Sequence, residues 1–436
     1  MYKFLFFILL SFNSLTSFAQ PQWYVYNTSN SGLPQDYSRQ IAIDSNNVKW
    51  IVSYGLVRFD GYNWRVFNTS NSPLTSNDIL CVAVDKNNDV WLGTNGNGTY
   101  RYRQSDSTWT RFGPATSGIP SATVSYIYVD KINNKWLCTT GFGLTKYNDT
   151  NFSVYKTTNS AIPSNMAFRF VIDRNNVWWV GFWYGGLASF NGTNWTLYDT
   201  TNTPNIPSNI VRTIAVDSNN VKWIGCEVQS LGKTFRGGLS TFNDTSWVKL
   251  DSTNSPFTRN GNNNVQCVSV DKYNTKWICT EYEVGLYKLE NNNTWTSYTS
   301  LPLPDNFLRH VIIDKFNNKW ISHADQGVSL FNETGIVKII NNEESVTSKN
   351  YILYQNYPNP FNPSTTIKYS LQKPAFIELN LYDVAGKFLK TIDIGFKVAS
   401  NYSVIFDPGN VSSGVYYYSL LINGERLETR KAIFLK

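Results

Sequence analysis

Seven times along 436 residues an aspartate stands six positions before a tryptophan, with one or more asparagines between them. The copies are DSNNVKWI at 44, DKNNDVWL at 85, DKINNKWL at 130, DRNNVWWV at 173, DSNNVKWI at 217, DKYNTKWI at 271 and DKFNNKWI at 314. Their tryptophans, Trp50, Trp91, Trp136, Trp179, Trp223, Trp277 and Trp320, recur at intervals of 41 to 54 residues. A period of that length with strand-like segments and no 3.6-residue patterning belongs to propeller blades. One repeat shows why. VSYIYVD (124–130) enters the turn, KWLCTT (135–140) leaves it, and GLTKYN (143–148) and NFSVYKT (151–157) follow. Four short antiparallel strands make one blade, and seven repeats predict a seven-bladed ring over residues 20–341. The Asp/Asn segment is then the hairpin between the first and second strands, because these side chains bond nearby amides and tolerate left-handed dihedrals. A calcium loop would need further oxygen ligands converging on one ion, and most copies hold a single acid. No metal is expected at these turns.

A ring must also close. QWYVYNTSNSGLPQD (22–36) matches the tail of a blade, as in NWRVFNTSNSPLTSN (63–77), but lacks the three strands that should precede it. We expect this N-terminal strand to complete the last blade, which would remove an exposed sheet edge. The alternative is that FNETGIVKIIN (331–341) supplies the seventh blade's own last strand.

The chain opens MYKFLFFILLSFNSLTSFAQ, one lysine before an apolar run and then Ser17-Phe18-Ala19, which reads as a secretory signal peptide over 1–19. No later stretch reaches the ~20 apolar residues that span a bilayer, so no transmembrane segment is expected. Aromatic residues make up 16% of the chain and charged residues only 16%, a balance that suits an exported all-β protein. The net charge of +7 is spread without a Lys/Arg block and gives no support for nucleic-acid binding. Cys81, Cys138, Cys226, Cys267 and Cys279 are odd in number and irregular in spacing, which is no disulfide framework. They read as small buried hydrophobes, with Cys267 and Cys279 the one pair placed to bridge.

With their VWLGT, GGL and W…Y landmarks, the repeats resemble the two-component-regulator propeller repeats of Bacteroidetes-type bacteria over roughly residues 22–341. In that family such propellers often serve as the extracellular sensors of histidine kinases, a role not carried over without the kinase. After a polar linker (342–353) the period stops. YPNPFNP (357–363), LYDVAGK (381–387), SSGVYYY (412–418) and the basic ending RKAIFLK (430–436) then follow in order. Their alternating apolar residues and turn residues predict a small β-sandwich over 354–436, which on pattern alone would also suit a carbohydrate-binding or fibronectin-like accessory domain. The motifs closely resemble the type A sorting domain of the type IX secretion system. The resemblance implies type IX machinery as a partner and export to the outer-membrane surface or beyond. It also implies removal of the domain by cleavage near 341–353.

Function must then lie in the propeller. Loops between blades and between second and third strands share the face opposite the aspartate turns, where propeller ligands usually bind. Five residues before each repeated aspartate the series is Arg39, Leu80, Ser125, Phe168, Arg212, Gln266 and Arg309, varying from blade to blade, as one asymmetric ligand would require. The second-to-third-strand loops add Tyr54, the trio Phe182-Trp183-Tyr184, and Glu227. Exposed aromatics stack on sugar rings or peptide side chains. The first reading is a ligand-binding module for an extracellular glycan or protein, with Arg39, Tyr54, Phe182, Trp183, Tyr184, Arg212, Glu227 and Arg309 as its contacts and no cofactor. A second is an enzyme, lyase or hydrolase, drawing general acid/base chemistry from His310, His323, Asp325, Glu281 and Glu283. Streptogramin-type lyases, which resemble this fold, use such groups with a metal. No nucleophile elbow, HExxH or zinc spacing is present. A third reading is a structural surface protein.

Overall fold

A computed structural model describes residues 23–333 and 351–436, apart from 62, 232–233, 258–263, 282–284, 299–302, 373–374, 385, 399, 410 and 423–424. The expected signal peptide, Glu283, most of the linker and the segment 334–341 lie outside the described residues. The chain divides into two compact units, a propeller unit ahead of a C-terminal one.

The repeated segment forms the predicted turn in all seven copies, and its chemistry goes further than spacing alone suggests. One carboxylate oxygen of Asp173 accepts the backbone N–H groups of Asn175 and Val177, each at 2.9 Å. The other accepts the indole N–H of Trp179 at 3.1 Å. The same Asp–Trp bond recurs from Asp44–Trp50 to Asp314–Trp320, at 2.9 to 3.3 Å. Each turn asparagine (Asn47, Asn88, Asn133, Asn176, Asn220, Asn274 and Asn317) has a positive φ of 61 to 69°. Asparagine adopts that left-handed conformation at little cost. The acid is therefore a buried polar anchor that fixes both the hairpin and the ring of the large aromatic residue following it.

Each repeat yields one four-stranded antiparallel sheet. Blade 3 runs Val124–Val129, Lys135–Thr139, Gly143–Tyr147 and Phe152–Tyr155, in sequence order from the axis outward. Glycine opens its third strand because a side chain at Gly143, at φ 75°, would meet the Tyr155 carbonyl at 2.2 Å. The seventh sheet is made differently. Its inner three strands are Leu308–Ile313, Lys319–His323 and Val328–Phe331, and its outermost is Trp23–Tyr26 from the other end of the chain. Trp23 pairs with Phe331 and Tyr26 with Val328, so the N-terminal strand closes the ring, as expected.

Seven buried apolar clusters lie between the sheets, each drawn from two neighbouring blades, and the last joins blade 7 (Trp320, Val328) to blade 1 (Ile51, Phe59). The lysine before the tryptophan adds a polar link across the same interfaces. Lys135 reaches Asp85 of the preceding blade at 3.5 Å, Lys222 reaches Asp173 at 3.6 Å and Lys276 reaches Asp217 at 3.2 Å. Each ammonium also lies within 5.2 Å of the preceding blade's tryptophan ring, a favourable place for a cation. All five cysteines are buried free thiols, and Cys267 stands directly opposite Cys279 on adjacent strands.

The C-terminal unit is a two-sheet β-structure. One sheet holds Tyr351–Leu353, Thr365–Leu371 and Ser400–Phe406, and the other Phe388–Lys397, Ala375–Tyr382, Gly414–Ile422 and Glu425–Phe434. Alternating residues such as Ile367, Tyr369, Leu379 and Leu420 fill its core. The proline-rich loop grips the last strand: Asn359 accepts the Ile433 N–H at 2.8 Å and donates to the Lys431 carbonyl at 3.1 Å.

Candidate functional site

Six of the seven inner strands carry a β-bulge at one shared position. In blade 3 the pairing register skips between Val124 and Tyr126, and in blade 4 between Ala167 and Arg169. Equivalent skips occur in blades 2, 5, 6 and 7. The residue left over is the one five before each aspartate: Leu80, Ser125, Phe168, Arg212, Gln266 or Arg309. A bulge re-aims a side chain and bends its strand. Here the re-aimed residues, joined by Arg39 of blade 1, meet around one cavity of about 440 Å³. Its wall also includes Tyr37, Gln40, Thr140, Arg169, Trp183 and His310.

Four arginines enter this space. The Arg212 Nε atom lies 2.8 Å from a Glu227 oxygen, although its N–H does not point at that oxygen. Burial lowers the Arg212 guanidinium below its ordinary value, and Glu227 opposes that shift. Arg309 pairs with Glu281 at 3.1 Å, and the second Glu281 oxygen accepts a bond from the Gln266 amide at 2.8 Å. Arg39 pairs with Asp78 at 3.8 Å and donates to the Tyr37 hydroxyl at 2.7 Å. Arg169 lies 4.9 Å from the Tyr126 ring centre and 4.5 Å from that of Phe168, and it donates to the Phe168 carbonyl at 2.8 Å. Among the described residues it has no carboxylate within ion-pair distance. Phe168 and Trp183, with ring centres 5.2 Å apart, form the aromatic wall, and Arg212 lies 5.0 Å from the Trp183 ring centre.

The aromatic trio does not act as one platform. Phe182 is fully buried in the core between blades 3 and 4, because strand alternation points it to the same side as Val180. Trp183 lines the cavity, and Tyr184 is 62% exposed with φ at 62°. Tyr54 is exposed beside a second, shallower groove of about 370 Å³ that shares Tyr37 and Arg39 with the first.

The two histidines part company as well. His310 lines the cavity. Its Nδ1 is buried and has no hydrogen-bond partner among the described residues. Burial and then the nearby Arg169 charge push its pKa down to about 3, so the ring is neutral. His323 is fully buried inside blade 7, held by Asp305 at 2.8 Å on one nitrogen and Ser329 at 2.8 Å on the other. Asp325 hydrogen-bonds to Asp305, which raises its pKa. The rim group of His310, His323 and Asp325 expected from sequence is therefore not assembled: His323 and Asp325 belong to a separate cluster with Asp305. Glu281 is reached by Arg309, Gln266 and Asn264. Among the described residues no three His, Cys, Asp or Glu side chains stand together as a metal site.

Sequence reasoning missed Tyr37, Gln40 and Arg169. The available signal was polarity inside an apolar strand: FRFVID (168–173) puts a cation where neighbouring blades carry cysteine, tyrosine or threonine.

Residues 355–435 match the model of a secretion system C-terminal sorting domain, and residues 73–96 match that of the two component regulator propeller. The chain thus carries a two-component-regulator-type propeller repeat and a C-terminal sorting domain. No curated protein sequence matches it. Among solved structures it is similar to PorZ, an essential surface component of the type IX secretion system of Porphyromonas gingivalis. That match has 20% identity, 94% of this chain, 61% of that one and a TM-score of 0.57. It is also similar to the extracellular domain of the putative hybrid two component system BT4673 of B. thetaiotaomicron, at 14% identity, 96% and 60% coverage and a TM-score of 0.63. A streptogramin B lyase is matched at 14% identity over 72% of this chain and 99% of that one, with a TM-score of 0.55. At these identities the likeness is one of fold, and the chain spans about three-fifths of the length of the first two proteins. The sorting domain marks the protein for type IX export to the cell surface or outside, and no helix among the described residues is long and apolar enough to cross a membrane.

Proposed function

We propose that the propeller is an extracellular ligand-binding module for a glycan or protein, delivered by the sorting domain, and that its ligand sits in the cavity ringed by the bulged positions. The observation carrying this reading is that convergence. Six bulges and Arg39 direct residues from all seven blades into one space, and those residues are arginine in three blades and a different residue in each of the other four. Residues whose only task was to support the ring would repeat as the aspartates and tryptophans do. The contacts are Arg39, Trp183, Arg212 and Arg309, with Glu227 orienting Arg212 and Tyr54 extending the surface. A partly buried cluster of aromatic and arginine side chains is a usual composition for a binding anchor.

The test is a glycan and peptide array probed with the full chain and with Trp183→Ala. A saturable hit lost in the variant supports the reading. A hit unaffected by Trp183→Ala puts the ligand elsewhere, and a blank array counts against the ligand classes displayed.

A further inference from the structure

Counting charge at the cavity leaves one cation over. Arg39, Arg212 and Arg309 face Asp78, Glu227 and Glu281 respectively. Arg169 faces no described carboxylate, and its contacts are two aromatic faces and one backbone carbonyl. Its charge reaches Cys81 in blade 2, Tyr126 in blade 3, Arg212 in blade 5, Cys267 in blade 6 and His310 in blade 7. Arg169 also shares the cavity wall with residues of all six other blades. Arg169 is only half-buried, but a guanidinium in a shared cavity with no carboxylate beside it is a ready partner for an anion that enters. Nearby, the Nε of Arg309 and the Nδ1 of His310 are buried polar atoms without hydrogen-bond partners among the described residues. Such groups are normally satisfied.

The rest of the wall narrows the class of anion. Phe168 and Trp183 present ring faces, while Gln40, Ser125 and Thr140 place uncharged polar side chains around them. That combination suits a ring with an apolar face and several hydroxyls. A volume near 440 Å³ lies toward the small end of ligand sites, the scale of a sugar unit rather than a folded partner.

Resting on the ligand-binding reading above, we infer that the cavity takes an acidic sugar, its carboxylate on Arg169 and its ring against Phe168 and Trp183. Charge-assisted bonds to a planar guanidinium then select the uronate over its neutral counterpart.

The experiment uses the full chain and two probes, methyl glucuronide and methyl glucoside, with binding followed by ligand-detected NMR. The expected result is glucuronide binding about tenfold tighter than glucoside, a difference that falls as salt rises. Arg169→Gln should erase the preference while leaving the melting temperature near that of the wild type, and Arg169→Lys should keep part of it. Equal binding of the two sugars by the wild type would overturn the acidic-sugar assignment and leave the ligand-binding reading standing. Binding of an acidic peptide but neither sugar would also overturn it. Silence of both sugars would overturn the acidic-sugar assignment, and a blank array beside it would count against the ligand-binding reading for the classes displayed. Because the central comparison is between two ligands on one protein, misfolding of a variant cannot decide it.

Discussion

Lys49 of the first complete blade places its ammonium 3.6 Å from the Asp314 carboxylate of the last blade and 4.6 Å from the centre of the Trp320 ring. Both side chains are almost wholly buried. The contact repeats the Lys–Asp link found between ordinary neighbours, so the seam of the ring is bonded like its other interfaces. Where the lysine is missing another donor serves the aspartate. Asp44 accepts from Gln104 at 3.1 Å, and Asp130 from Asn134 at 2.7 Å. Lys49→Ala should cost about 3 kcal/mol by leaving Asp314 short of its cation, with Lys49→Met costing less because its stem still packs. Denaturant unfolding followed by tryptophan fluorescence measures both. Equal, negligible losses would show that the seam does not depend on this pair.

Stability should decline in alkali beginning near pH 9. Burial pushes the Cys81 and Cys226 thiols up to about 12 and the Tyr287, Tyr298 and Tyr418 phenols up to about 12. A group whose folded pKa is raised contributes stability that is complete below its unfolded pKa and lost above it. The thiols therefore act from about pH 9 and the phenols from about pH 10. Lys49, lowered to about 8 chiefly by burial, works the other way between pH 8 and its unfolded value. Lys319, also lowered chiefly by burial, acts in the same direction, so two lysines stand against the larger set of thiols and phenols. A melting temperature still level at pH 11 would contradict this account.

Thiol counting checks the cysteines directly. With all five buried and free, Ellman's reagent should find none in the native protein and five after denaturation without reductant. A count of three would mean that the facing pair Cys267 and Cys279 is bridged.

His323 and Trp183 should separate stability from binding. His323→Ala leaves Asp305 and Ser329 without their shared partner and should cost about 2–4 kcal/mol. Trp183→Ala should barely move the melting temperature yet lower binding of any array hit about tenfold or more. If His323→Ala abolished binding in a protein of unchanged stability, the cavity would be the wrong place for the site.

Removing residues 23–26 should produce self-association. The strand Val328–Phe331 would lose its partner and become a free edge, and Phe331 would lose the Trp23 ring stacked 4.0 Å away. Sedimentation at several concentrations reads this out, and a stable monomer would show that three strands suffice for blade 7.

The ring was legible because its punctuation is written in residues with narrow chemistry. Aspartate and a left-handed asparagine announce the hairpin, and the period counts the blades. The acid's second bond, to the indole N–H, was not legible, since it depends on the tryptophan side-chain conformation. Nor was the lysine's target, which lies 49 to 59 residues back in the preceding blade for Lys135, Lys222 and Lys276. At the site, difference between repeats pointed to the seven positions around the cavity. What it could not show was the bulge that turns them inward, which leaves no residue signature. Phe182 and Trp183 look interchangeable as letters, yet one is the last inward residue of a strand and the other the first residue beyond it. Arg169 escaped notice because it sits one position after the bulge, where strand alternation alone would have turned it away from Phe168.

The closing strand also gives blade 7 a mechanical character unlike the others. Trp23 and Phe331, the paired residues at one end of its outer ladder, are the points from which the chain leaves in both directions. Tension between the N-terminus and the chain that follows Phe331 would load that ladder at this end. Its pairs would then open in succession from Trp23–Phe331 to Tyr26–Val328, like a zip, instead of sharing the load as a sheared strand does. Blades 1 to 6 would feel nothing until this clasp had parted, so the force needed to unravel the ring is set by four residue pairs and one stacked pair of aromatic rings.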